Sequence, residues 1–400
     1  MRPICVTRFT LTTCLGQGVE AHRDALAAGR SGLTRCDFED VALDTWIGRV
    51  AWLDAHPGSA ESRPPTCRNN RLAALALEQD GFLAAARDAV ARYGPSRVAV
   101  YLGTSTSGIL ETELAYRERD RVSGALPPWF DYRSSHNIFS LAEFVRGQVG
   151  AAGPAAVLST ACSSSAKAFA SAARLIRCGL VDAAVVGGVD TLCLTTLYGF
   201  NSLEVLASEP CRPFDAARNG ISIGEGAAFA LLQRGEDGTL LLSGYGESSD
   251  AHHMSSPHPR GLGARLAMTE ALERAGLSAQ DIDYINLHGT ATPANDAAEG
   301  LVVAELFGAR TPASSTKGAT GHTLGAAGGI EAVLCLLALR EGLIWGTLGT
   351  GEPDPAIPIR LELRTRHAPL RHVLTNSLGF GGTNCSLVFS RPEPVTQYGD

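Results

Sequence analysis

Leu158-Ser159-Thr160-Ala161-Cys162-Ser163-Ser164-Ser165 is the stretch on which the fold turns. Before it, Ala155 to Leu158 is an apolar run that reads as a buried strand. After it, Ala166 to Ile176 is built of strong helix formers. Cys162 therefore sits at a strand-to-helix junction, where unpaired backbone N–H groups and the positive end of a helix dipole favour thiolate over thiol. A covalent nucleophile needs that setting. Buried free cysteine is common as plain packing, so the residue decides nothing alone.

Working outward, strand-like runs recur with helices between them: 97–101, 155–158, 183–187, 227–232, 240–243, 284–287 and 386–389. The alternation predicts an α/β layered fold. Hydrophobic content of 45% supports a large core, and the longest apolar run, 333–339, is too short to cross a bilayer. The ten cysteines show no C-x-x-C spacing, so neither a zinc site nor a disulfide framework is indicated, and a reducing cytoplasm fits them. A net charge of −7 with no basic stripe argues against nucleic acid as a partner. Gly/Pro/Ser-rich stretches at 56–65 and 248–263 read as surface loops.

Further along, Tyr284 to Pro293 carries His288 at the end of a strand, and Ser315 to Gly328 carries His322 at the mouth of a small-residue helix. Asn376-Ser377-Leu378-Gly379-Phe380-Gly381-Gly382-Thr383-Asn384 is a glycine-rich hairpin between strands. Neither histidine has a third metal ligand at sensible spacing, so no metal is expected. Cys162 and His322 each introduce a helix of Ala, Gly and Ser, an internal echo that suggests duplication.

In this order, the four segments resemble the β-ketoacyl-acyl-carrier-protein synthases, condensing enzymes with a Cys-His-His site. The resemblance runs from about Val98 to Phe389. It implies the thiolase-like fold: two similar halves, residues 1–245 and 246–400, in five layers α-β-α-β-α. It also implies decarboxylating Claisen condensation. Cys162 takes an acyl group by transthioesterification, and His288 and His322 stabilise the enolate left when a malonyl thioester loses carbon dioxide. The amides of Cys162 and Phe380 form the oxyanion hole, and the Phe380 ring gates the acyl pocket. Lys317 matches the lysine of a buried polar network, Glu299 matches its acidic partner, and Thr290 and Thr292 match threonines that bond a phosphopantetheine arm.

No resident cofactor is implied; the arm arrives on an acyl carrier protein. Arg68 and Arg71, with Arg63, are a weak candidate docking patch for that acidic carrier, against the plainer reading of solvated helix faces. A homodimer, or a heterodimer with a sister chain, is expected. The segment 105–139 reads as an inserted cap. Ser163-Ser164-Ser165 and Leu378 depart from the commonest bacterial pattern, leaving a polyene or polyketide pathway open beside fatty-acid elongation. Lys167 puts a charge with no evident partner on a helix expected to be buried. Two rivals remain: a non-catalytic chain-length-type subunit, disfavoured because Cys162, His288 and His322 are all present, and a thiolase-type acyltransferase using Cys385 as base.

Overall fold

The computed structural model describes residues 1–55, 67–235 and 240–392. The loop expected at 56–65, with Arg63, lies outside the described residues.

Ten strands carry the architecture. In the first half they are β1 (Ile4–Thr13), β2 (Val98–Gly103), β3 (Ala155–Leu158), β4 (Ala183–Asp190) and β5 (Gly226–Gln233). In the second they are β6 (Leu241–Ser249), β7 (Tyr284–Asn286), β8 (Pro312–Ser314), β9 (His372–Leu378) and β10 (Thr383–Ser390). The first set is ordered in space β1-β5-β4-β2-β3 and the second β6-β10-β9-β7-β8. Along each set the pairings run antiparallel, antiparallel, parallel, parallel. The two halves thus have one topology, and the duplication suggested by the small-residue helices is real. Their edges pair at Ile4 with Leu242 and at Cys5 with Leu241. Residue 245, the expected join, lies within β6.

The layers follow from which helix faces which sheet. Helices α1 (Arg68–Leu77), α2 (Phe82–Tyr93) and α3 (Ser140–Val149) cover the outer face of the first sheet. Helix α4 (Ser164–Arg177) packs on β2 and β4, while α7 (Ala327–Glu341) packs on β9 of one sheet and β5 of the other. Helices α5 (Leu262–Ala275) and α6 (Pro293–Phe307) cover the outer face of the second sheet. The stack is α-β-α-β-α, the thiolase-like fold.

Helix α7 is buried along its whole length from Ala327 to Leu339, which is why its apolar residues show no helical stripe. Small residues make this sandwich possible. A Cβ on Gly103 of β2 would lie 2.2 Å from the Ser165 amide nitrogen, and one on Gly328 of α7 would lie 2.8 Å from Ala166 Cβ. Strand, α4 and α7 approach at distances that only hydrogen permits.

Two expectations change. Strand β3 is half-buried rather than buried, because among the described residues it ends the sheet and pairs only with β2. Lys167 finds its acid across the halves: Nζ lies 3.8 Å from Glu247 on β6, which Arg174 also pairs with. Tertiary contact supplies a partner that no local spacing could reveal. The 105–139 segment carries much of the exposed apolar surface, with Tyr116, Val122, Trp129, Tyr132 and Ile138 all open to solvent.

Candidate active site

Cys162 precedes α4 by two residues, behind Ala161, whose left-handed φ of +52° turns the chain sharply out of β3. A side chain at that φ is strained, so the surroundings must hold it. They do so through the serines. Ser164 Oγ accepts the Thr160 N–H at 2.8 Å, Ser163 Oγ lies 2.8 Å from Thr383 Oγ1, and Ser165 Oγ accepts the Gly329 N–H of α7 at 2.7 Å. Thr383 also donates to the Thr160 carbonyl at 2.9 Å, pinning the glycine-rich hairpin against the cysteine loop.

The three groups picked out in the sequence converge. His322 Nε2 lies 3.0 Å from Cys162 Sγ, and the ring centroids of His288 and His322 are 5.3 Å apart at 86°. The cysteine sulfur and one nitrogen of each ring all fall within 4.8 Å of one another. All three side chains are buried. Cys162, remote in sequence, thus stands beside the two histidines. One sulfur and two imidazole nitrogens are a donor set that zinc accepts.

Burial reverses the charge expected on the sulfur. It pushes the Cys162 thiol up to about 11, against the pull of the Lys317 charge and of the Phe380 N–H, which points at the sulfur. The resting group is a thiol. Helix α4 begins two residues later, and its N-terminal field does not outweigh loss of water. Burial, with the nearby Lys317 charge, holds both imidazoles well below their ordinary range, so both rings are neutral at physiological pH.

Lys317 is buried and donates to the His288 carbonyl oxygen and to Glu331 Oε1. Its Nζ also faces His288 Nδ1 at 3.4 Å. An ammonium only donates, so Nδ1 is the acceptor and the ring hydrogen sits on Nε2. Glu299 is not the partner of Lys317. It caps the turn after β7, accepting the His288 and Gly289 N–H groups at 2.8 Å each and the Asn376 amide at 3.1 Å. The acid paired with the lysine is Glu331 on α7, fourteen residues beyond it. Burial raises both carboxyls to about 7.

A cavity of about 200 Å³ opens onto the sulfur. Its lining includes polar Thr290, Thr292, Asn295 and Ser256 and apolar Phe200, Leu203, Val205 and Ile221. The Thr290 and Thr292 hydroxyls lie 2.9 Å apart, bonded to each other. The Phe380 ring stacks on Phe200 with centroids 5.6 Å apart and planes at 25°. Phe200 was not legible as a site residue, since it lies far from every motif and only the fold brings it against the Phe380 ring. Behind the hairpin, Asn384 Nδ2 donates to Asp250 Oδ1 at 2.8 Å and to the Gly382 carbonyl at 3.1 Å, tying the hairpin to the loop after β6.

The expected docking patch is not one. Arg68 is buried, with its guanidinium bound to both Glu225 oxygens and to Asp54. Arg71 is half-buried and donates to the Leu53 carbonyl. Their spacing on α1 turns them inward, and Glu225 on the neighbouring strand segment offers the compensating charge.

Two family models match the chain: beta-ketoacyl synthase, N-terminal domain, over residues 1–238, and beta-ketoacyl synthase, C-terminal domain, over residues 240–350. A mitochondrial 3-oxoacyl-[acyl-carrier-protein] synthase of Arabidopsis thaliana is 32% identical over 97% of this chain and 93% of its own length. Among solved structures, a ketosynthase (ApeO) in complex with its chain length factor (ApeC) from Xenorhabdus doucetiae matches with a TM-score of 0.87 at 38% identity, covering 98% of each chain. The ishigamide ketosynthase/chain length factor matches with a TM-score of 0.86 at 27% identity, over 98% of this chain and 99% of that one. With its Cys-His-His centre and its duplicated five-layer sandwich, this chain belongs to the β-ketoacyl synthase family.

Proposed function

We propose that Cys162, His288 and His322 divide the family's reaction between them: condensation of an acyl thioester with malonyl-acyl-carrier protein to a 3-oxoacyl-acyl-carrier protein, with loss of carbon dioxide. The single observation that carries this reading is the 3.0 Å approach of His322 Nε2 to the Cys162 sulfur, with His288 beside it.

In the first half-reaction the Cys162 sulfur attacks the incoming thioester carbonyl. Its proton ends on the departing carrier sulfur, and one thioester replaces another. His322, donating from Nε2, steadies the charge that builds on a sulfur too buried to carry it at rest. The Cys162 and Phe380 amides face the developing oxyanion. In the second, the C–CO2 bond of a malonyl thioester breaks and its electron pair becomes an enolate. His288 donates to that oxygen from Nε2, because Lys317 occupies the side of Nδ1; His322 is the second donor. The enolate carbon then attacks the acyl carbonyl and expels the Cys162 sulfur, which regains a proton.

The polar lining at Thr290 and Thr292 suits the amides of a phosphopantetheine arm, and the apolar lining suits the acyl chain. The arm comes covalently on a carrier protein, and the enzyme needs no other cofactor. A paired subunit completes the assembly, since among the described residues β3 leaves one strand edge unpaired and both solved relatives above pair a ketosynthase with a chain length factor. On the same topology, the join of the halves stands just before β6. Among the described residues no helix is long and apolar enough to cross a membrane. Ten cysteines without C-x-x-C spacing suit a cytoplasmic setting. A non-catalytic subunit is not favoured, and the buried position of Cys385, which pushes its thiol far up, speaks against a thiolase-type base.

The test is intact-mass spectrometry with an acyl carrier protein, then carbon dioxide release from malonyl carrier. Cys162→Ala loses the acyl adduct; His288→Ala keeps it and releases carbon dioxide about 100- to 1,000-fold more slowly. An adduct persisting in Cys162→Ala removes the nucleophile assignment.

A further inference from the structure

Asp190 ends β4 and is fully buried, yet the reaction above leaves it without a task. A buried carboxylate is tolerated only when donors surround it. Here the donors come from both halves of the chain. Thr104 and Thr106 hydroxyls each donate to Oδ1 at 2.7 Å, and the Ser105 hydroxyl donates to Oδ2 at 2.7 Å. From the second half, Gly325 N–H donates to Oδ2 at 2.5 Å and lies 3.3 Å from Ser105 Oγ.

Gly325 belongs to the turn that follows His322, and its neighbour Leu324 sits at a left-handed φ of +52°. Ahead of that turn the first half holds the His322 main chain directly. The His322 N–H donates to the Ser222 carbonyl at 2.7 Å, and its own carbonyl accepts the Gly224 N–H at 3.0 Å. The side after the turn is held by the aspartate. The fit is close, for a Cβ on Gly325 would come within 2.8 Å of Asp190 Oδ2.

We infer that Asp190 is a positioning residue for His322: it clamps the strained Leu324–Gly325 turn onto the first half and so keeps Nε2 on the Cys162 sulfur. A turn carrying a non-glycine residue at positive φ relaxes unless something outside it holds it. The Asp190–Gly325 bond is that hold, and it crosses between the halves at the point where their reacting groups meet. The inference rests on the pairing of His322 with Cys162 described above.

Its test needs neither acyl chain nor carrier. Alkylation of Cys162 by iodoacetamide is followed by peptide mass spectrometry in the full-length chain, for the wild type, Asp190→Asn, His322→Ala and the double variant. The Ser105 and Thr106 N–H groups, each 2.8 Å from Oδ1, hold the amide oxygen of an Asn on that side, so its NH2 meets the Gly325 N–H and that bond is lost. His322→Ala is expected to slow alkylation about tenfold, and Asp190→Asn to slow it comparably. The double variant is then no slower than His322→Ala alone, because one residue acts through the other. Slowing factors that multiply, or an Asp190→Asn rate equal to or above wild type, overturn the inference. Should Asp190→Asn lose its circular-dichroism signature, Ser105→Ala, which keeps the carboxylate, decides: about twofold slowing that disappears in the His322→Ala background supports the clamp, and an unchanged rate overturns it. Failure here leaves the condensation reading standing. Absence of acylation by acyl carriers in the wild type would sink that reading without touching this one.

Discussion

His322 Nε2 and Cys162 Sγ lie 3.0 Å apart although 160 residues separate them, and each comes from the equivalent place in a different half of a duplicated fold. In both halves a central-layer helix, α4 or α7, follows the third strand of its set, and both reacting groups stand where those strands give way to those helices. The site exists only because the two sandwiches are stacked with α4 and α7 in contact. Four consequences can be measured.

Arg68 is a structural cation. Replacing it with Met leaves Glu225 buried without its counter-charge, and removal of one partner of a buried pair costs about 3–5 kcal/mol. Urea unfolding of Arg68→Met should show that loss, while the Michaelis constant for carrier protein stays where it was. A shifted constant with an unchanged unfolding midpoint would return Arg68 to the docking surface.

The pH behaviour follows from burial. With the Cys162 thiol raised to about 11, the thiolate fraction in the free enzyme keeps growing through the whole accessible alkaline range. Alkylation of Cys162 should rise about tenfold per pH unit from about pH 7 to about pH 10, without the plateau of an ordinary thiol. The histidines are displaced downward, so they stay neutral as pH falls past 6.5, and kcat/KM should show no acid limb there. An acid limb near 6.5 would mean that at least one ring is solvated.

Phe200 braces the Phe380 ring beside the cavity. Its stack on Phe380 is of a kind that contributes about 0.5–1.5 kcal/mol, so Phe200→Ala should lower the unfolding free energy by that order and free the Phe380 ring. Long acyl groups on Cys162 should then hydrolyse a few-fold faster, read as loss of the acyl mass with time. Equal lifetimes in wild type and variant would show that Phe200 only fills space.

Zinc should be an inhibitor. The three donors within 4.8 Å are neutral at rest, and binding must expel the thiol proton, so inhibition should tighten as pH rises. A chelator should restore activity, and His322→Ala should weaken zinc binding at least about tenfold, measured by calorimetry. Inhibition that is indifferent to pH and to His322 would place the metal elsewhere.

Much of this was legible along the chain. The strand before Cys162, the helix after it and the two histidine motifs are local patterns, set by side-chain period and by runs of small residues, and they stand where those patterns put them. Other features were not. The acid partner of Lys317 was misplaced at Glu299, because both glutamates lie on helices near the motif and only packing tells that Glu331 faces the ammonium. Arg68 and Arg71 looked like a solvent-facing pair because their spacing says which face they share, not whether that face is inside.

From the sequence alone came the order of strands and helices, set by short-range periodicity that survives in one dimension, and the long ordered motifs whose family resemblance implied the duplication and picked out Cys162, His288 and His322. The state of the sulfur, the tautomer of His288, the ion-pair partners of Lys317 and Lys167, the Phe200 stack and the Asp190 clamp were decided by tertiary structure. Each of them depends on distance through space and on exclusion of water, and neither quantity is defined until the two halves have closed on each other.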